Sequence, residues 1–571
     1  MLFSSTLTAL AQVTITIDKT KQYQKIEGFG GMAQEGYEWG PSNTMSDKFA
    51  DDMVNDLGCT IFRHIIDGGL EPNNDNNDPN NTDLSKFNLG AESDGCKSNA
   101  HMTLNSTIPT LKKLRTLVEK NGEKAQFYTT VFSPPAWTKY IGCVWGTDEI
   151  WNRMATDEEE LAKGGTNGAD GKGGPKDFKN EFAEFCYAYL QIMKNNGVVV
   201  DAFSIQNELL FPQPYSSCVY SPESYAATFK TTGQYLRKKG FNTRMMFTED
   251  IGDLGRYNLY VRPITRDIVS KEFADIAAIH SYSANAVSPG STDASLWTSL
   301  DKVSRQGNAN RAFWQTETSG YSNDYAGAIS ISTAIFTGLK YGKLNAWMFH
   351  GLSHPTEIEG LVLKTGKTDR YYACKHYFKY VRPGSINVDI TTTDETLLSL
   401  AFQNNEKKTL TVVLTNVGNS EKTISLKTIQ GTGVPTSYKM YMTKNSTVRC
   451  ADQGNVTANS SIKMPANSIV TLVGDNSLAE IPTANEDVVA MKETLKLQVY
   501  PNPSQGGFYI QGNNAGLGMV QIELLNLQGI EIQNVNYPND GKEMYINADN
   551  LANGIYMLKY NNQYQKIVIN K

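Results

Sequence analysis

Charge is scarce in this chain. Of its 571 residues only 20% are Asp, Glu, Lys or Arg, and 53 basic against 59 acidic residues leave a formal net charge of −6. No Lys/Arg-rich run breaks the pattern, which argues against a nucleic-acid or anionic-membrane partner, since both need a concentrated basic face. With 40% hydrophobic residues the low charge also excludes a disordered chain or a coiled coil. No apolar run reaches the roughly 18 residues of a membrane span. The seven cysteines are scattered, without a Cys-x-x-Cys pair or a Cys/His cluster. No structural zinc is therefore expected, and no other metal or cofactor. The odd count leaves at least one thiol unpaired within the chain. Cys186 lies in an apolar helical pattern and reads as a buried thiol. Cys143 and Cys218 fall in two loops placed on one face and are the candidate bridge. No Gly-x-Gly-x-x-Gly follows the first strand of the repeating region, against a dinucleotide fold.

What is abundant is aromatic and polar uncharged: 29 Tyr and 7 Trp among 10% aromatics, a composition that suits stacking on flat apolar ligand faces or a β-rich core. At about 150 residues per domain the length predicts three or four domains. Residues 1–11 are apolar and end in Ala9-Leu10-Ala11, the form of a signal-peptidase site without a basic start. Val13–Ile17 alternates as a half-buried strand. From about Ile26 to Gly384, short apolar runs alternate with helical stretches such as Thr107–Asn121, Lys176–Asn196, Ser221–Lys239 and Tyr325–Tyr341. Roughly eight such β-then-α units predict an α/β fold closed as a (β/α)8 barrel over residues 29–385. The Asn/Asp-rich stretch Glu71–Asn81 lacks the spacing of a calcium loop, and Gly-rich Lys163–Pro175 lacks the Ser or Thr of a phosphate loop; both read as plain loops. From about Ile386 the helical period stops, and short strands separated by turns predict a side β-sandwich over 386–475. Residues 12–28 are expected to join it, so that the barrel is inserted in the sandwich. A polar linker, 476–496, leads to a small all-β unit at 497–571.

That last unit opens with Tyr500-Pro501-Asn502-Pro503 and carries an Asn526-Leu527-Gln528-Gly529 turn, a Gly554-Ile555-Tyr556 element and a closing Lys571. In this order the pieces closely resemble the C-terminal sorting domain of the Bacteroidetes type IX secretion system. The resemblance implies export through the outer membrane by that machinery, to the medium or the cell surface. A small carbohydrate-binding sandwich is the alternative.

Catalytic groups of such a barrel stand at the C-terminal ends of its strands. Glu208, after Ser204-Ile205-Gln206-Asn207, ends the fourth strand, and Glu317, after Trp314-Gln315-Thr316, the seventh. Two carboxylates in one mouth are what glycoside cleavage requires: an acid on the leaving oxygen and a nucleophile or base beneath the sugar. Either alone would read as a cap or salt bridge. The barrel resembles the clan A retaining glycosidases of glycoside hydrolase family 30. The matching pieces are Ile26-Glu27-Gly28-Phe29-Gly30-Gly31, Ser133-Pro134-Pro135-Ala136-Trp137, Ser204–Glu208, His280-Ser281-Tyr282, Trp314–Glu317 and Tyr377–Gly384. The resemblance covers about residues 12–475. It implies that Glu208 is the acid/base and Glu317 the nucleophile. Glu208 must hold its proton for the first step, which the Glu317 charge favours. Asn207 is placed for the sugar 2-hydroxyl. Arg63 would keep Glu317 ionised or form a buried structural pair. His280 and Tyr282 are expected at the nucleophile or the sugar, and Trp137 and Trp347 are candidate stacking platforms or core. Glu249, ending the fifth strand, has no assigned role. The Val381-Arg382-Pro383-Gly384 junction most resembles the xylanase branch, while the loop His350–Pro355 lacks the Arg that would pair with a glucuronate branch. The expectation is a xylan-active enzyme, with a β-1,6-glucanase, a glucosylceramidase-like or another β-glycosidase as alternative. A non-catalytic polysaccharide-binding protein is the reading of another class; retention of both glutamates argues against it.

Overall fold

The computed structural model describes residues 12–33, 45–66, 68–76, 78–90, 96, 103–155, 178–250, 253–282, 293–428, 435–458, 460–475, 498–511, 518–526, 531–539, 543–560 and 563–571. The signal-like start, the Gly-rich loop at 163–175 and the linker at 476–496 lie outside them. The chain divides into two compact units, 1–478 and 479–571.

In the first unit β1 (Val13–Lys25) is followed by the eight barrel strands: β2 (Gly28–Met32), β3 (Ile61–Ile66), β4 (Gln126–Val131), β5 (Ala202–Ser204), β6 (Arg244–Phe247), β7 (Ala274–His280), β8 (Ala312–Glu317) and β9 (Ala346–Ser353). They pair in parallel and in sequence order, and β9 closes on both β2 and β8. Helices cross back between them, among them Leu104–Lys120, Phe178–Asn195, Pro222–Lys238 and Tyr325–Lys340. The expected barrel is the observed one. Its starts are written locally: Ser221 accepts from Ser224 N–H with Pro222 in the first turn, and Asp324 accepts from Gly327 N–H, each meeting an otherwise unpaired donor.

Period-two alternation sorts the strand side chains. Ile61, Tyr128, Met246, Ile276, Trp314 and Met348 fill the barrel, whereas Phe62, Phe127, Phe203, Phe313 and Trp347 face the helices. The Gly28-Phe29-Gly30-Gly31 motif is explained at closure. A Cβ on Gly30 would sit 1.6 Å from the Ile61 carbonyl oxygen, and one on Gly31 2.6 Å from that of Phe349. Strand β2 thus wedges between both neighbours only because it carries no side chain there.

After β10 (Gly360–Leu363), β11 (Gly366–Lys367) and the helix Asp369–Phe378 come β12 (Ile386–Thr392), β13 (Leu397–Asn404), β14 (Thr409–Asn416), β15 (Lys422–Thr428), β16 (Ser437–Lys444), β17 (Val448–Thr457), β18 (Ile462–Met464) and β19 (Ser468–Asp475). These form one nine-stranded sheet with β1, which lies antiparallel to β12 and parallel to β15. Its apolar face holds Ile15, Ile17, Val388, Leu410, Val412 and Leu472. Barrel and sheet are joined by buried His376, whose two ring nitrogens meet Thr471 Oγ1 at 2.7 Å and Thr443 Oγ1 at 2.8 Å; burial pulls its pKa down to about 3. Arg382 of the junction motif donates to the Gly58 carbonyl (2.7 Å) and to Glu123 (2.9 Å). Both precede their barrel strands, so this motif sits at the N-terminal end of the barrel, away from the mouth.

The second unit holds two small sheets, one of Gln498–Tyr500, Gly507–Gln511 and Met544–Asn547, the other of Gly518–Leu525, Glu531–Asn539, Gly554–Tyr560 and Gln563–Ile569. Phe508, Ile510, Ile522, Leu524, Leu558 and Ile567 form its core. Its sequence motif is structural: the Asn502 side chain bonds the last strand at Lys566 O (2.6 Å) and Val568 N (2.8 Å), and Asn553 Oδ1 accepts from Lys571 N (2.8 Å).

One expectation is corrected. Cys143 is bridged to Cys96, with Cα atoms 4.3 Å apart, and Cys218 is a buried free thiol. The two loops do lie side by side, Trp145 opposite Ser216, but the Cys143 sulfur is already taken. Because the closed loop spans 47 residues, Cys143→Ser should cost about 2–4 kcal/mol. Thermal melting of the variant, with thiol counting under denaturation (five in the parent, six in the variant), checks this.

Candidate active site

The strand β5 is short, and the chain beyond it is held from both sides. Asn207 N–H donates to the Val131 carbonyl at the end of β4, and Glu208 N–H to that of Glu249 beyond β6, each at 2.8 Å. This anchoring holds Glu208 at φ 46° and, across from it, Thr248 at φ 59°. Both are left-handed conformations that a residue with a side chain adopts at a cost, of a kind found at functional sites.

Glu317 reaches the mouth by a different device. Ala312 and Trp314 face the barrel interior and Phe313 the helices. Strict alternation would therefore turn Glu317 outwards. Between β7 and β8 the register slips: Ile279 lies opposite Gln315, but His280 lies opposite Glu317. Thr316 is the extra residue, and this bulge brings the carboxylate inward.

The two glutamates meet around two cations and a hydroxyl. Arg63 donates to Glu317 through Nη1, to Asn207 Oδ1 through Nη2 at 2.7 Å, and pairs with Glu249 at 3.0 Å. Tyr282 donates its hydroxyl to the other Glu317 oxygen. His280 Nδ1 lies 3.1 Å from Glu208 Oε1 and 3.9 Å from Glu317 Oε1, while Nε2 lies 3.7 Å from Glu249. A carboxylate oxygen of Glu208, one of Glu317 and a ring nitrogen of His280 all fall within 4.8 Å of one another. Paired carboxyls that close match the 5–5.5 Å of a retaining pair; an inverting pair, at about 6.5–9.5 Å, leaves room for a water.

Burial alone would raise the Glu317 pKa, but His280, Arg63 and His350 outweigh it and hold the carboxyl ionised. Glu249 follows the same balance: burial pushes up, and Arg63 and His280 pull further down. Burial pushes His280 down, yet Glu317, Glu208 and Glu249 around it raise its pKa to about 10. Among the described residues, Glu208, His280 and Glu317 are the set whose geometry would suit a metal ion. A protonated imidazole offers no lone pair, and Arg63 already matches Glu317, so the set is better read as an ion-paired carboxylate dyad. The His280 shift has a consequence for stability. A folded pKa near 10, above the ordinary 6.5, contributes stabilisation that is full below pH 6.5 and lost as pH rises towards 10. The melting temperature should fall across that window, and His280→Gln should flatten the fall; parallel pH–Tm curves for the two proteins would contradict it.

Of the residues singled out from sequence, Glu208, Glu317, Asn207, Arg63, His280 and Tyr282 converge on one site. Trp347 does not, and its stacking role is withdrawn. It is the second residue of β9, on the helix-facing phase, 1% exposed and packed on Phe378 at 6.1 Å. Trp137 is also largely buried: its indole N–H donates to the Glu71 carbonyl at 3.1 Å and its ring packs on Phe178. The sequence reading missed the work of Glu249, which bridges Arg63 and His280 and accepts from Thr130 Oγ1 at 2.8 Å. It also passed over His350, whose Nδ1 lies 2.9 Å from Glu359 Oε2 and whose charge acts on Glu317. A polar residue just past the apolar run of each strand was the available signal for both.

The fold is a closed eight-stranded barrel with two carboxylates at its C-terminal mouth and a side sheet built on β1. Residues 384–472 match the glycosyl hydrolase family 30 beta sandwich domain, and residues 498–571 match a secretion system C-terminal sorting domain. The chain thus carries a family 30 type of side β-sandwich on a barrel of matching fold, followed by a sorting domain for type IX secretion. Among curated sequences it is 28% identical over 293 residues to an endo-1,6-beta-D-glucanase of Aspergillus fumigatus, covering 48% of this chain and 53% of that one; the chain thus spans about half the length of that relative. Among solved structures, a GH30 endoxylanase of Clostridium papyrosolvens superposes with a TM-score of 0.60 at 20% identity, over 81% of this chain and 100% of its own. An endo-beta1,6-glucanase superposes with a TM-score of 0.56 at 16% identity, over 82% and 95%. At these identities the structural likenesses establish the fold. Among the described residues no helix is long and apolar enough to cross a membrane.

Proposed function

We propose that the chain is a retaining β-glycosidase that cleaves a β-linked polysaccharide by double displacement. The observation that carries this is the close carboxylate pair, with Arg63 and Tyr282 on one member and His280 on the other. Glu317, kept ionised, attacks the anomeric carbon as Glu208 gives its proton to the departing oxygen; a glycosyl-enzyme forms. Glu208 then takes a proton from water, which attacks the same carbon and releases Glu317. The Tyr282 hydroxyl and Arg63 hold the nucleophile in line, and Asn207, with its oxygen taken by Arg63, is oriented to give its N–H to the 2-hydroxyl.

For the substrate, the xylan reading rested on the Val381–Gly384 junction. Arg382 of that junction ties strand starts at the far end of the barrel, so it bears on assembly rather than on the sugar. The 28% relative is an endo-1,6-beta-D-glucanase, and this supports β-1,6-glucan as the substrate we adopt. No guanidinium from the β9 loop is available for a glucuronate; His350 there already meets Glu359. Reducing-sugar release should be seen on β-1,6-glucan and be much weaker on xylan and glucuronoxylan. Release from xylan alone would restore the xylanase reading, and binding without release from any β-glycan would make the chain a polysaccharide-binding protein.

A further inference from the structure

The described tryptophans divide sharply. Trp137, Trp297, Trp314 and Trp347 are buried, while Trp145 and Trp151 are 37% and 41% exposed. Both exposed ones stand in the loop after β4. Phe211 and Tyr215, 38% and 40% exposed, stand in the loop after β5. Leaving large aromatic faces in water forgoes burial worth about 25 cal/mol per Å², and such patches mark binding surfaces.

The two loops form one built structure. Gly146 N–H donates to Gln213 O (3.0 Å), Ser217 N–H to Val144 O (3.0 Å) and Val219 N–H to Asn152 O (2.8 Å). Buried Lys139 ties across to the Ser217 carbonyl at 2.6 Å, and the Cys96–Cys143 bridge anchors the first loop. The Trp151 ring is itself fixed: it stacks on Tyr140 with centroids 4.8 Å apart and planes at 21°, and Arg153 lies 5.1 Å over Tyr140. A rigid ring costs little entropy when a ligand stacks on it.

The second loop starts at the site. The Phe211 N–H donates to the Glu208 carbonyl at 3.1 Å, so the second loop begins at the residue that would protonate the leaving oxygen. The sugar attached to that oxygen departs on this side. We propose that the loops 139–155 and 209–219 form a binding site for the sugar units on the leaving-group side of the scissile bond, with Trp145 and Trp151 as stacking platforms beside Phe211 and Tyr215. The proposal rests on the glycosidase reading above. Flat aromatic faces match the apolar C–H faces of neutral pyranose rings.

The test compares two substrates in the full-length protein. A β-1,6-linked gluco-hexasaccharide places sugar on both sides of the scissile bond; a 4-nitrophenyl β-glycoside of the trisaccharide places sugar only on the other side and a single nitrophenyl ring, with no further sugar units, on the leaving-group side. For Trp151→Ala and Trp145→Ala, kcat/KM on the hexasaccharide should fall about tenfold each, through KM, and stay within about twofold on the aryl glycoside. Trp151→Phe should restore most of the loss. Equal loss on both substrates, or none on either, overturns this proposal while leaving the glycosidase reading intact. A concentration-dependent dimer that Trp151→Ala abolishes, with unchanged kinetics, would assign the patch to a second copy of the chain instead. A wild-type protein inactive on both substrates and on every other β-glycan would overturn the glycosidase reading and this proposal with it.

Discussion

Glu317→Gln should lower kcat on polysaccharide by on the order of 10⁵-fold, the scale for removing a covalent nucleophile, with the fold retained. The fold is expected to survive because Arg63 keeps Glu249 at 3.0 Å and the amide still offers an oxygen to Tyr282. A hydrophobic replacement would be harsher, since it strands part of a buried guanidinium charge. The distinguishing measurement is mass spectrometry with a 2-fluoro glycoside. Wild type should trap one covalent sugar on the Glu317 peptide, and the variant none. Substantial turnover by Glu317→Gln, or trapping on Glu208 or Glu249, would show the nucleophile to be another carboxylate of the same cluster.

Glu208→Ala should separate the two steps. With a sugar as leaving group the missing proton costs about 10²–10⁴-fold. With an acidic phenol the first step needs little protonation, so the glycosyl-enzyme should form and accumulate, visible as a burst of phenol. Azide, a nucleophile that needs no base, should then restore turnover and give a β-glycosyl azide. Retention of β configuration in that product follows from two inversions, and it agrees with the carboxyl–imidazole cluster confined within 4.8 Å. An α-azide, or an equal loss on both leaving groups, would count against Glu208 as acid/base. Because Glu208 sits at φ 46°, Glu208→Gly is a useful companion: the same chemistry is lost without the backbone strain, so it should melt no lower than Glu208→Ala.

Much of this was legible in the linear chain, because the relevant signals are local. Apolar runs of strand length alternating with amphipathic stretches specify β-then-α units, and an apolar run followed by Asn207-Glu208 or ending in Thr316-Glu317 places those polar residues at one face of a parallel barrel. The Gly28–Gly31 motif and the Asn502 and Asn553 positions were visible as patterns, though not as the close strand approach and the strand-pinning hydrogen bonds that they prove to be.

What only the tertiary structure decided concerns phase and partnership. Period two from Trp314 points Glu317 away from the sugar; one extra residue, Thr316, reverses that, and a bulge is a property of two paired strands rather than of either sequence. Trp347 and Trp151 are both tryptophans in loops or strand starts, yet one is sealed against Phe378 and the other stacks on Tyr140 in water, because burial depends on which helix covers which face. Loop placement along the chain paired Cys143 with Cys218, and only the folded loops chose Cys96. The Arg382 junction read as a substrate marker until its partners, Gly58 and Glu123, put it at the opposite end of the barrel. The sequence by itself determined the barrel, the side sheet, the sorting domain and the glutamates; three-dimensional packing determined which way each of those side chains faces, because facing is set by neighbours distant in the chain.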